Sequence, residues 1–327
     1  MRMKYKYQIA IIGAGQLGTR HLQGLVRLNI PCEISIVDPS VKAFALARER
    51  VDNVIEGASH SLNYYHNIES LSGNLDYVVV ATTADKRLKV MDELFIGRHI
   101  KNILLEKVLF QRAGDYLAAK KLIIKSKCSA WVSCFRRATT IYQKIRAFFA
   151  GDILEHVDVF GGNWGLGCNS IHFIDIAAYI AGGKPHSLCT RRLDSDIIES
   201  KRAGFIEFTG TLLGRCGCAS FSLTALKNSQ ATVLISMRGA KRSCIIDESN
   251  GIAFLCDPAG RGWQKVKFKT PVLSDLVTGV TKSILQTGNC ELTPFNQSIS
   301  YHLPLVHAFS SHVKKYSDDP NYLLPIT

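Results

Sequence analysis

The sequence predicts an α/β Rossmann domain followed by an α+β domain with an open, mostly antiparallel sheet. Three observations lead there. Strand and helix patterns alternate over roughly the first 130 residues, and a glycine-rich turn sits at the first strand-to-helix junction. Past Cys128, strand-like segments follow one another with few helices between them. The expected boundary is therefore near residue 128, giving a Rossmann domain over 1–128 and an α+β domain over 129–327. A chain of 327 residues is too long for one ordinary core and suits two.

The elements follow from hydrophobic period. Residues 7–13 form a short apolar strand, and 16–28 have helical spacing through Leu17, His21, Leu25 and Leu28. A second strand at 33–37 precedes a helix at 41–50 with Ala43, Phe44 and Ala47 on one face. Residues 75–81 are a continuous apolar run, as expected of a strand buried on both faces of a parallel sheet. A helix at 88–96, a strand at 103–105, a helix at 116–124 and a strand at 130–134 complete the alternation. The second half begins with a helix at 139–150, a strand at 153–160 and a helix at 172–180 that Gly182-Gly183 would close. Strand patterns at 205–211, 216–223, 232–237, 243–247 and 266–269 then predict the antiparallel sheet, with helices at 274–285 and 297–314 after it.

Composition excludes several classes. Hydrophobic residues at 46% and charged residues at 20% give a soluble globular balance, and no apolar run approaches a membrane span. The basic start, Met1 to Lys6, leads into apolar residues 9–12. That stretch is short, breaks at Gly13 and lacks a small-residue cleavage site, so it reads as a tail before a buried strand. The ten cysteines lack metal-ligand spacing, and no histidine cluster completes Cys216-Gly-Cys218. Free thiols in a reducing cytoplasm, with no metal, are expected. The net charge of +13 comes as scattered pairs rather than a basic arm, which argues against nucleic acid. Its long-range field still favours anionic small molecules.

Gly13-Ala14-Gly15-Gln16-Leu17-Gly18 matches G-x-G-x-x-G, with a strand running in and a helix running out. Gly13 would permit the tight turn, Gly15 would let the backbone approach a pyrophosphate, and Gly18 would let helix and strand pack closely. The helix N-terminus at Gln16 and Leu17 would offer free amides and a positive dipole end. The second strand ends at Asp38, twenty residues after Gly18 and placed to accept hydrogen bonds from adenosine ribose hydroxyls. An acid there repels a 2′-phosphate, and no arginine follows within Pro39-Ser40-Val41. NAD is therefore favoured over NADP, with Lys42 near enough to leave NADP open.

Ligands of open parallel sheets bind beyond the carboxyl ends of the strands. The fourth strand ends at Thr82 and Thr83, which would either line the cofactor or cap a turn. The fifth ends at Glu106-Lys107, a charged pair placed for function, the alternative being a surface ion pair.

The order and spacing of Gly13 to Gly18, His21, Ala81-Thr82, Glu106-Lys107 and His172-x-x-Asp175 resemble the Gfo/Idh/MocA oxidoreductase family over essentially the whole chain. The resemblance implies a Rossmann domain, then an open antiparallel sheet whose face often forms a dimer interface, hence a homodimer or homotetramer. It implies NAD-dependent oxidation or reduction of a secondary alcohol or ketone on a sugar, nucleotide sugar or cyclitol. It also implies that Lys107 stands at the reaction centre. Hydride transfer at a carbinol carbon needs a group to take or give the hydroxyl proton, which lysine can do. His172 is its natural partner, and Asp175, on the same helical face, would orient the imidazole or pair nearby.

Two departures stand out. Val108 replaces the proline that usually follows Glu-Lys, which would loosen that loop. Cys168, followed by Asn169, stands where many sugar and cyclitol members carry an aspartate four residues before the histidine. Either Lys107 and His172 suffice, or substrate binds differently, or the chain is a degenerate NAD- or sugar-binding regulator. The substrate candidates are Asn169, Arg137 (as a guanidinium for a carboxylate or phosphate) and Trp164, in a glycine-rich loop at 161–167 that could close as a lid.

Overall fold

The computed structural model describes residues 5–55, 57–260, 262–315 and 324–327. Residues 1–4 of the basic tail lie outside the described residues. The chain forms two compact units. The first comprises Met1–Phe110, Gly114–Phe135 and Pro271–Asn296, and the second Gln111–Ala113, Arg136–Thr270 and Gln297–Thr327.

The first unit alternates β1 (Tyr7–Ile12), α1 (Gln16–Val26), β2 (Cys32–Val37), α2 (Val41–Asp52), β3 (Ser61–Tyr65), β4 (Asn74–Leu75), β5 (Tyr77–Val80), α3 (Arg87–Phe95), β6 (His99–Ile100), β7 (Asn102–Leu105), α4 (Ala113–Ser126) and β8 (Ser129–Val132). The main sheet has seven strands in the order β19-β8-β7-β5-β1-β2-β3, where β19 is Thr293–Pro294. Every pairing is parallel except that of β19 with β8. The order reverses beside β1, so the carboxyl end of β1 opens at a switch point. The apolar run at 75–81 is interrupted by Asp76, and Tyr77–Val80 is fully buried, as two-sided coverage requires.

Several assignments differ from the sequence reading: β10 (Pro185–Leu193) and β17 (Ile252–Asp257) fall in no expected strand, and the domain boundary moves. Everything after 128 was placed in the second domain, whereas β8 joins the parallel sheet and Pro271–Asn296 belongs to the first unit. That segment supplies α7 (Leu273–Thr287), which packs on α1. The approach is close: a Cβ on Gly24 would lie 2.6 Å from the Val277 Cβ. The strand β3 was also missed, because all five of its residues are half-buried and show no alternation.

The second unit holds α5 (Thr140–Phe148), β9 (Leu154–Gly161), α6 (Leu166–Ala181), β10 (Pro185–Leu193), β11 (Ile198–Glu199), β12 (Ile206–Glu207), β13 (Gly210–Cys216), β14 (Ala219–Ala225), β15 (Leu234–Gly239), β16 (Ser243–Asp247), β17 (Ile252–Asp257), β18 (Gly262–Lys267) and α8 (Phe295–Val313). Eight strands make an open sheet in the order β10-β13-β14-β9-β15-β16-β17-β18. Only β9 with β14 is parallel. Helix α6 lies against β9, β13 and β14 and ends at left-handed Gly182. On the other parity, Phe160 pairs with Leu234 and Ile245 with Phe254, all exposed, as is Trp263. Helix α6 begins six residues earlier than its apolar pattern suggested, because Gly165, Gly167 and polar residues mask its first turns.

Candidate functional site

The turn between β1 and α1 is built by its glycines. Gly13 has φ +93°, and a Cβ on it would touch the Ala81 carbonyl carbon and the Thr82 nitrogen, each at 3.1 Å. A Cβ on Gly18 would sit 1.8 Å from the Gly13 carbonyl oxygen, so only glycine lets α1 come this near. Gly15 is different. It caps α1 at φ −72°, and a Cβ there meets nothing within 4 Å. No side chain caps the helix, which leaves the first-turn amides at Gln16 and Leu17 uncapped. At the neighbouring loop, the Thr82 hydroxyl is buried with no hydrogen-bond partner. Open space over Gly15, uncapped amides and an orphaned hydroxyl suit a dinucleotide.

Asp38 closes the turn from β2. Its Oδ2 accepts the Ala14 N–H at 2.8 Å and its Oδ1 accepts the Ser40 N–H at 2.8 Å, so its charge is fixed at the loop edge. Lys42 is exposed on α2. Arg50, at the far end of α2, donates to the Gln16 carbonyl at 2.7 Å and to the side chains of Gln16 and Thr19. Sequence reading missed this cation, since 34 residues separate it from the turn. The Thr83 carbonyl accepts the Lys86 N–H at 3.2 Å and closes a turn.

Glu106 is neither a surface ion pair nor free for a cofactor. It is 4% exposed, and its Oε1 receives His21 Nε2 at 2.8 Å and the Ser133 hydroxyl at 2.6 Å. Its Oε2 accepts the Lys107 N–H at 3.3 Å. Burial alone would raise the Glu106 pKa, but bonds from His21 and Ser133 and the nearby Lys107 charge outweigh it and leave the carboxyl below its usual range. Glu106 is thus a support for the loop that bears half-buried Lys107. The Val108 departure is compensated too. Buried Arg87 on α3 donates to the Val108 and Leu109 carbonyls, the latter at 2.7 Å, and to the Thr82 carbonyl. One guanidinium thereby ties together the loops after β5 and β7, so the loop is held without proline.

In the second unit, α6 carries Cys168, Asn169, His172 and Asp175. His172 is half-buried. Asp175 is fully buried, with its Oδ2 taking Arg137 Nε at 2.6 Å and its carbonyl taking Arg137 Nη2 at 3.2 Å. Burial lowers the Arg137 pKa, yet Asp175 and Tyr301 more than restore it, and the guanidinium also faces the rings of Tyr179 and Tyr301. This corrects one expectation and selects between two others: Arg137 is committed to Asp175 inside the unit rather than open to an anionic substrate, and Asp175 pairs nearby, the second of the roles expected for it. Arg136 is likewise committed, with two 2.8 Å bonds to Glu248.

Trp164 is anchored rather than mobile. Its indole N–H donates to the Thr224 carbonyl at 2.8 Å, and it meets Phe173 edge-on. With that anchor the 161–167 stretch forms a wall. That wall borders a cavity of about 210 Å³ at the head of α6, which Cys168 and Asn169 also line. Asn169 Nδ2 donates to the Trp164 carbonyl at 2.7 Å. Sequence reading missed Glu207 of β12 here. It is 5% exposed, and its carboxylate accepts the N–H groups of Gly167 at 2.5 Å and Cys168 at 3.2 Å. No motif marks it, but a carboxylate does stand at the head of α6, brought from a hairpin rather than from the helix.

No family model matches the chain, and no curated protein matches it. Solved structures do. An oxidoreductase from Agrobacterium radiobacter, in complex with NAD+, L-tartaric acid and magnesium, is 17% identical, with TM-score 0.74 over 95% of this chain and 97% of its own. Scyllo-inositol dehydrogenase from Lactobacillus casei, with bound NAD(H) and scyllo-inositol, is 14% identical, with TM-score 0.68 over 96% and 98%. The chain has their two-domain fold. The transcriptional regulator Gal80p from Kluyveromyces lactis has it as well, at 12% identity and TM-score 0.72 over 95% of this chain and 93% of its own. At these identities the likeness establishes architecture, and the chemistry must be argued from the residues. Among the described residues, no helix is long and apolar enough to cross a membrane.

Proposed function

We propose that the chain is an NAD(H)-dependent oxidoreductase that moves a hydride to or from a secondary alcohol or ketone of a sugar, nucleotide sugar or cyclitol. The observation that carries this reading is Gly15, whose Cβ position is open while its neighbours Gly13 and Gly18 are packed tight. Packing explains two of the glycines, and a ligand explains the third. A bound nicotinamide would supply the two-electron chemistry, as hydride acceptor in alcohol oxidation and hydride donor in ketone reduction.

The amides of Gln16 and Leu17 hold the pyrophosphate. Asp38 accepts the ribose hydroxyls and repels a 2′-phosphate, which supports NAD over NADP. Thr82 offers its unused hydroxyl to the cofactor, and Thr83 and Glu106 shape and support that edge. Lys107 takes the hydroxyl proton as the carbinol carbon is oxidised, or returns one to the oxygen on reduction. His172 is the second proton-carrying group, while Asn169 and Trp164 hold substrate. The exposed apolar strip of Phe160, Leu234, Ile245, Phe254 and Trp263 supports a homodimer or homotetramer formed through the sheet face. A soluble, cytoplasmic setting accords with the composition.

A second reading, a regulator without turnover, draws on Cys168 in place of an aspartate and on the regulatory protein among the fold's members. Turnover of NAD+ with a panel of sugars, nucleotide sugars and cyclitols separates the two. Lys107→Ala should lower the chemical rate by about 10²–10⁴-fold with NADH binding kept. Unchanged turnover in that variant overturns the role of Lys107. NADH binding without turnover on any panel member favours the regulator.

A further inference from the structure

The cavity at the head of α6 is lined by residues of the second unit, with Trp164, Cys168, Asn169, Glu199, Lys201 and Glu207 around it. We infer that it binds a single uncharged polyhydroxylated ring, and that Glu207 sets its specificity by selecting against acid-bearing analogues. The inference rests on the oxidoreductase reading and narrows its substrate class.

The glycine-rich stretch before α6 is shaped around Glu207. A Cβ on Gly165 would stand 3.1 Å from Glu207 Oε1, and one on Gly167 would stand 2.8 Å from Oε2. Glycine at both places lets a nearly buried carboxylate reach the helix head. Each carboxylate oxygen uses one acceptor position on a backbone N–H, at Cys168 and at Gly167, and a carboxylate has about four such positions in all. The remainder suit hydroxyl donors. Asn169 is pinned through its Nδ2, which leaves its carbonyl oxygen as an acceptor, and Lys201 adds a donor. The Trp164 ring, fixed by Thr224 and Phe173, gives a flat wall of the kind a sugar ring packs on.

Charge and size narrow the ligand further. The wall carries two carboxylates against one ammonium, so its local sign opposes the chain's net +13. A ligand carboxylate there would face the Glu207 carboxylate, and like charges held close together repel. The volume of about 210 Å³ is below the ~300 Å³ at which drug-sized pockets begin, which suits one ring and leaves out a whole nucleotide sugar.

The test uses the full-length protein without cofactor. D-glucose, D-galactose and myo-inositol are titrated by ligand-observed NMR and tryptophan fluorescence, alongside D-glucuronate and D-galacturonate. At least one neutral ring should bind in the millimolar range, with the acids about tenfold weaker or more. Glu207→Gln should weaken the neutral ring about tenfold and close its gap to the acids, and Asn169→Ala should weaken neutral binding without touching the helix cap. Three results overturn the inference: no neutral ring binding at about 50 mM, an acid binding as tightly as its neutral parent, or a gap unchanged in Glu207→Gln. A Glu207→Gln protein that loses melting temperature but keeps that gap assigns Glu207 to helix capping alone. An NADH titration of the same sample shows separately whether the cofactor reading stands.

Discussion

Gly15→Ala and Gly18→Ala should separate the two purposes of the glycine turn. The structure places the Gly18 Cβ 1.8 Å from a backbone carbonyl oxygen, where van der Waals contact needs about 3.3 Å. Strand and helix would have to part by about 1.5 Å in a close-packed interior, which costs several kcal/mol. At about 2–4 °C per kcal/mol for a domain of this size, the melting temperature should fall by roughly 10 °C. Gly15→Ala has no such obstacle, because its φ of −72° is ordinary and its Cβ is open. Its stability should change by less than about 0.5 kcal/mol. The new methyl group would instead occupy the space proposed for the pyrophosphate, so NADH should bind at least about tenfold more weakly, or about 1.4 kcal/mol. Thermal unfolding and NADH fluorescence titration read the two effects. Wild-type NADH affinity in Gly15→Ala would refute the argument.

Three further outcomes are expected. Arg87→Met strips donors from the buried carbonyls of Thr82, Val108 and Leu109 and should cost about 3–5 kcal/mol in thermal unfolding; a loss below about 1 kcal/mol would show the loops are held by other contacts. Glu106 and Glu248 both have lowered pKa values in the fold, so their stabilisation is complete above the ordinary value of 4.5 and is lost as pH falls below it. Melting temperature measured against pH should therefore drop in acid, with a shallower slope in Glu106→Gln. Arg137→Ala removes the cation that pairs with buried Asp175 and should cost about 3–5 kcal/mol; a folded, stable variant with only a raised KM would restore the substrate-grip reading.

The sequence showed what local pattern can show. The strand–glycine–helix turn, the Asp38 strand end and the buried runs at β5 and β7 were all legible, because each is a short-range signal. The alternation ended where the parallel sheet nearly does, and β8, the returning Pro271–Asn296 segment and the short stretch Gln111–Ala113 crossed that line. Their partners are set by tertiary pairing, as with α7 on Gly24, about 250 positions away in sequence. Charged side chains were the least legible. Glu106, Arg137 and Asp175 look like site residues in a string of letters, and burial against fixed hydrogen-bonding partners turned each into a support. Glu207 and Arg50 were invisible for the converse reason, since nothing local marks a charge that reaches a distant helix end.

The central claim is that the first unit holds NAD. Titrating the purified protein with NADH and with NADPH, following nicotinamide fluorescence, tests it most directly. NADH should bind in the micromolar range and NADPH at least about tenfold more weakly, through repulsion of the 2′-phosphate by Asp38. NADPH preference would overturn the role given to Asp38, and binding of neither would contradict the hydride-transfer reading itself.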